Sequence, residues 1–123
     1  LGRRITLGIQ DPIRLDDSRP EPDVALLQPR EDFYASGAPR AEDVLLVIEV
    51  SDTTLEYDRQ VKGELYAEAG IVEYWIVNVI DECLEVYRQP TASGYAHSQT
   101  LTRGQQITPV SFPDLTLAVS DMV

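Results

Sequence analysis

The chain has 123 residues, 43 % hydrophobic and 25 % charged, with 10 Lys+Arg against 21 Asp+Glu and a formal net charge of −11. That length and composition describe one folded domain with a real core rather than a disordered segment. The acidic balance excludes a protein that coats nucleic acid by general cation–phosphate attraction, so any nucleic-acid role needs metal ions or a local basic patch.

Residues 1–9 (LGRRITLGI) alternate polar and apolar from Arg4 to Ile9, as a half-buried strand does, and do not read as a signal peptide. Ile13 to Leu15 is expected to extend or pair with that strand. Asp16 to Pro22 (DDSRPEP) is rich in turn formers, and Val24 to Leu27 is a short apolar strand. Gln28 to Asp43, with Pro29, Gly37 and Pro39, reads as a loop of a length usually reserved for function or mobility. Val44 to Val50 (VLLVIEV) is nearly continuous in apolar character, which predicts a central strand buried on both faces.

Ser51-Asp52-Thr53-Thr54 offers N-cap candidates for a helix over Leu55–Ala69, and Gly70 is placed to end it in a left-handed C′ conformation. Glu73 to Val79 reads as a second buried strand. Asp81-Glu82 would turn the chain into Leu84–Arg88, and Thr91 to Gly94 is another turn. Two or three short strands close the chain, interrupted by Arg103-Gly104 and Pro109. The expected order is β-β-β-β-α-β-β-β-β: an α/β (α+β) domain with a mixed central sheet and one internal helix. No segment approaches the ~20 apolar residues needed to cross a bilayer, and the expected location is cytoplasmic.

One cysteine, Cys83, excludes an intrachain disulfide and a Cys-cluster metal site and fits a reducing compartment. One histidine, His97, excludes a zinc site built on several imidazoles. Its polar surroundings, without a nucleophile elbow, make it a surface strand residue rather than part of a Ser-His-Asp triad. Hydrolytic chemistry would therefore fall to carboxylates, water and an oxygen-loving cation.

Three positions stand out. Asp23 follows Pro22 at the start of a strand, Glu49 interrupts the apolar central strand, and Lys62 lies mid-helix. A carboxylate inside an apolar strand is costly to bury unless it is paired or binds a cation. Two carboxylates on neighbouring strands can supply oxygen ligands for Mg²⁺, with waters completing the shell. Asp58, Lys62 and Tyr66 are spaced i, i+4, i+8 along one helix face. An exposed Asp58–Lys62 ion pair would explain two of them. Against that, Lys62 is the sole lysine beside nine arginines, and an ammonium is a different tool from a guanidinium.

Pro22-Asp23-Val24, Val47-Ile48-Glu49-Val50-Ser51, Asp58-Arg59 with Lys62, Tyr66-Ala67, Gly70 and Glu73-Tyr74-Trp75-Ile76-Val77 together resemble a bacterial family of putative restriction endonucleases. That family, formerly a domain of unknown function, belongs to the PD-(D/E)XK nuclease superfamily. The resemblance runs from about Ile5 to Met122 and implies a restriction-endonuclease-like core. It implies Asp23 and Glu49 as Mg²⁺ (or Mn²⁺) ligands aided by the Val50 backbone carbonyl. Lys62 would position the attacking water or the phosphate, with Asp58 and Tyr66 supporting from behind. The position two after Glu49 is Ser51 and not lysine, so the lysine is matched instead by Lys62. Members usually carry helical sequence ahead of the first strand. This chain starts without it, so residues 1–123 are expected to be an N-terminally truncated single domain. Asn78 stands where the family often has Asp, a difference expected to touch a turn.

The resulting expectation is a Mg²⁺-dependent endonuclease acting on DNA, with a homodimer suggested by the need to cut two strands. The alternative is a catalytically silent binding or dimerisation module that keeps the nuclease fold. A hydrolase for another phosphorylated substrate is the third reading.

Overall fold

The computed structural model describes residues 6–9, 13–15, 20–29 and 37–123. Six strands form one mixed sheet in chain order: β1 (Thr6–Ile9), β2 (Val24–Leu27), β3 (Val44–Ser51), β4 (Glu73–Asn78), β5 (Cys83–Thr91) and β6 (Gly94–Thr102). Neighbours run antiparallel except β3 and β4, which are parallel. A parallel pair cannot be closed by a hairpin, and the helix α1 (residues 55–68) makes the crossover between them. A small ribbon of β7 (Gln106–Ile107) and β8 (Leu117–Ala118) closes the chain. Among the described residues, no helix is long and apolar enough to cross a membrane.

The apolar runs do what they predict. Every residue of β4 is buried, and β3 presents buried residues to both faces. On the α1 side Val47, Tyr66, Ile71, Tyr74 and Ile76 pack together with Ala25 and Leu27. On the other side Leu46, Trp75, Leu84 and Val86 pack with Leu101, Ile107 and Val119 from the C-terminal third. A register shift beside Leu26/Leu27, where Leu27 pairs with Val44 and Leu26 with Leu46, leaves Leu45 as an extra residue. That lets Val44 and Val47 reach the same core.

Gly70 ends α1 with φ 83°, and the Ile71 N–H donates to the Tyr66 carbonyl at 3.1 Å, the 6→1 bond of a Schellman cap. In its middle, Asp58–Lys62 form a π-helical stretch between the α-helical Leu55–Tyr57 and Gly63–Glu68. Such wide turns concentrate at functional sites.

Three expectations need correction. Ile13–Leu15 is not a strand: Arg14 makes a single bridge to Arg40. The backbone there is served by loops, Ile13 N–H donating to Pro20 and Arg14 N–H to Pro39. Among the described residues the order is therefore three strands, a helix, then five strands. The strand after the Thr91–Gly94 turn is not short, because β6 runs for nine residues. Of the expected loops, residues 16–19 and 30–36 lie outside the described residues, as do Arg4 and Ile5; Ala41–Asp43 at the end of the second loop forms a 3-10 turn.

Candidate active site

Asp23 stands just ahead of β2, and extending the β2–β3 register by one pair from Val24↔Ile48 sets it beside Glu49. Val50 lies past the last β3 residue that β2 pairs, and its N–H donates instead to Asp23 Oδ2 at 2.7 Å. The Asp23 N–H in turn donates to Glu49 Oε1 at 3.1 Å. The two acids are thus tied together through main-chain donors, with the Val50 backbone beside them. Among the described residues, the second Asp23 oxygen accepts no hydrogen bond.

Glu49 Oε2 receives two donors from α1: Lys62 Nζ at 2.9 Å and the Tyr66 hydroxyl at 3.0 Å. Glu49 is only 2 % exposed. Its burial pushes its carboxyl above the ordinary value, although Lys62, the Asp23 N–H and Tyr66 all pull it back. For Lys62 burial works against the charged form, yet the hydrogen bond and charge of Glu49, then Asp58, outweigh it and hold the ammonium above its usual pKa. Burial, followed by the charge of Glu49, raises the hydroxyls of Tyr66 and Tyr74 and keeps both as donors.

Asp58 is buried, which rules out the exposed surface pair with Lys62 as its explanation. Its Oδ1 lies 3.5 Å from Lys62 Nζ, and its Oδ2 accepts from the Thr54 hydroxyl at 2.9 Å. The Tyr74 hydroxyl donates to the Asp58 carbonyl at 3.0 Å, pinning the wide helical turn to the sheet. All five sequence-singled side chains, Asp23, Glu49, Asp58, Lys62 and Tyr66, are therefore brought together. Thr54 and Tyr74 were missed as partners: Thr54 was visible only as one of four capping candidates, and Tyr74 only as strand core. His97 is exposed on β6, and Cys83 is buried.

A second carboxylate network lies on the same face. Glu85 accepts a two-pronged pair of bonds from Arg59 (Nε at 2.9 Å), one from the Tyr87 hydroxyl at 2.6 Å and one from Asn78 Nδ2 at 3.3 Å. Asn78 also takes the Asp81 N–H at 3.0 Å, so the amide serves the β4–β5 turn and Glu85 together. An aspartate there would face Glu85 with like charge. Burial works against the Glu85 carboxylate, but Arg59, Tyr87 and Asn78 outweigh it and hold its pKa below the ordinary 4.5. The stability it contributes is therefore complete above pH 4.5 and lost as pH falls through the lowered pKa. Glu85→Gln is expected to cost about 1–2 kcal/mol at pH 7 and to flatten the acid limb of Tm against pH. Thermal melts from pH 7 to 3 check this, and an unchanged acid limb would refute it.

A mixed sheet whose one parallel pair is bridged by a helix, with an acid–acid–lysine cluster at that pair, defines a restriction-endonuclease-like α+β domain. The fold is similar to the crystal structure of a putative nuclease belonging to DUF820 from Anabaena variabilis ATCC 29413, with a TM-score of 0.64 and 16 % sequence identity. The likeness covers 94 % of this chain and 66 % of that one, so the chain spans just under two-thirds of that protein's length. No curated protein matches the chain. The family profile of Uma2, described as "putative restriction endonuclease", matches residues 1–120, and the chain belongs to that family.

The resemblance read in the sequence implies Mg²⁺ or Mn²⁺ as the cofactor. Among the described residues no three His, Cys, Asp or Glu side chains gather as a metal set. Two carboxylates do meet, one with an oxygen that accepts no hydrogen bond among the described residues, and Mg²⁺ is commonly held by one or two carboxylates with water and phosphate oxygens supplying the rest. The donor set fits such an ion.

Proposed function

We propose that this chain is a metal-dependent phosphodiesterase cutting DNA. The observation that carries the reading is Glu49: a buried carboxylate joined on one oxygen to Asp23 and on the other to the chain's sole lysine. Asp23, Glu49 and the Val50 carbonyl would hold Mg²⁺ or Mn²⁺. When bound, such an ion lowers the pKa of a coordinated water and neutralises charge on a phosphodiester. Lys62 holds a donor toward the attacking water or a phosphate oxygen. Asp58, itself fixed by Thr54, sets the position of that ammonium, and Tyr66 holds Glu49 in its rotamer. Lysine suits this place because its compact point charge fits between two carboxylates, where a planar guanidinium would need a wider gap.

The test is plasmid cleavage with Mg²⁺ or Mn²⁺ beside Asp23→Ala, Glu49→Ala and Lys62→Ala. Each variant is expected to lose at least about 10²-fold in rate. Mn²⁺ affinity, read by calorimetry, is expected to fall at least about tenfold in the two carboxylate variants. Equal background from the wild type and all three variants would refute the nuclease reading. It would favour the silent module, toward which residues 41–87, with twelve acids against Arg59 and Lys62, already lean as a poor DNA-facing surface.

A further inference from the structure

We propose that the outer edge of β6 is a homodimer interface, where two copies pair antiparallel about the middle of the strand and continue one sheet through both subunits. The sheet order leaves β1 and β6 as its edges. β6 is nine residues long and keeps one register with β5 from Thr102 to Gly94, broken only at Ala96 opposite Gln89, whose φ is 61°. Natural edges of that length are protected by charges, proline, bulges or a covering element. β6 reads Gly-Tyr-Ala-His-Ser-Gln-Thr-Leu-Thr, without Asp, Glu, Lys, Arg or Pro. Among the described residues no strand pairs with its outer side, and Ala96, His97, Ser98 and Thr100 are exposed.

A second copy is the occupant that fits. Each chain carries a net charge of −11, so most faces repel their own kind, and an uncharged strand is where two copies approach at least cost. An antiparallel strand pair is also self-complementary about a two-fold axis normal to the sheet, which closes the assembly at two. A shallow groove beside His97, lined by Val72, Arg88, Gln89, Pro90 and Val110, adds apolar area next to the edge. Val72 and Val110 there are 41 % and 54 % exposed.

The pairing has a geometric consequence that rests on the nuclease reading. Glu49 lies level with Thr100 through Ile76 and Glu85. Strand spacing then sets the two Glu49 Cα atoms about 35 Å apart, close to the ~34 Å of one DNA turn.

Sedimentation of the 123-residue chain is expected to show twice the 13.8 kDa monomer mass at tens of micromolar. Ser98→Asp and Ser98→Lys, each setting like charges face to face near the axis, are expected to weaken self-association at least about fivefold. An equal mixture of the two is expected to restore it, with unchanged circular dichroism throughout. A wild-type monomer, a dimer indifferent to Ser98→Asp, or a mixture that stays apart would each overturn the proposal. A dimer that behaves as expected but cuts no DNA supports the interface and refutes the nuclease reading.

Discussion

Lys62→Met is expected to destabilise the fold by about 3 kcal/mol at neutral pH and by much less in acid. Methionine matches the lysine stem in length, so packing changes little and the lost ammonium dominates. Breaking a fully buried ion pair from one side costs about 3–5 kcal/mol. Lys62 is 26 % exposed while Glu49 is 3 %, which places this pair at the low end. Burial already holds the Glu49 carboxyl above its ordinary 4.5, and the hydrogen bond and charge of Lys62 are among the influences that restrain it. Without Lys62 it climbs further. An acid whose folded pKa lies above its unfolded value contributes most below that unfolded value and loses ground as pH rises through the folded one. The deficit of Lys62→Met should therefore be small near pH 4.5, grow across the window up to the raised pKa, and level off above it. Urea unfolding at intervals from pH 4.5 to 8 measures this. A deficit of constant size across that range would assign the loss to packing and sink the electrostatic account.

Much of this arrangement was legible because it rests on local patterns. VLLVIEV and EYWIVN read as buried strands, Gly70 was well placed to stop the helix, and an acid inside the first of those runs announced itself by its cost. The helical spacing of Asp58, Lys62 and Tyr66 put three side chains on the face that meets Glu49. The sequence had no means of showing the π-helical turn at Asp58–Lys62, because its support comes from the Tyr74 hydroxyl, sixteen positions away. Ile13–Leu15 has strand composition, but its main chain is claimed by Pro20 and Pro39. β6 carries few large apolar residues, so its alternation is faint and its length follows from β5 rather than from itself. Glu73 and Glu85 look like ordinary polar positions along the chain. Their arginines stand 15 and 26 residues away, and nothing local marks either as buried.

Glu73 carries a larger expected stability effect than Lys62. It is fully buried, and it shares its side of β4 with Trp75, because residues two apart on a strand face the same way. One oxygen takes the Trp75 indole N–H at 2.8 Å and Arg88 Nε at 2.9 Å, and the other takes the Val110 N–H at 2.8 Å. Arg88 reaches on to the Thr108 carbonyl at 2.7 Å. A single carboxylate thus fastens β4, β5 and the C-terminal segment on the side of the sheet away from α1. Glu73→Ala would strand a buried indole donor, a main-chain N–H and a guanidinium that is 23 % exposed. Each orphaned neutral donor costs about 1–3 kcal/mol and the unpaired charge adds more, though the losses overlap. A total of about 4–5 kcal/mol is expected, a large share of the ~5–15 kcal/mol that holds a domain together. In a chain of 123 residues that lowers Tm by about 15–20 °C. Glu73→Leu combined with Arg88→Met should recover part of the loss, since a well-packed apolar pair often replaces a buried ion pair without penalty. Glu73→Gln, milder because it keeps one acceptor, should leave the proposed cleavage unaffected in the folded fraction, because Glu49 and Lys62 lie across the sheet. A loss below about 2 kcal/mol for Glu73→Ala, or no recovery in the double variant, would mean that the C-terminal segment is held by its apolar contacts instead.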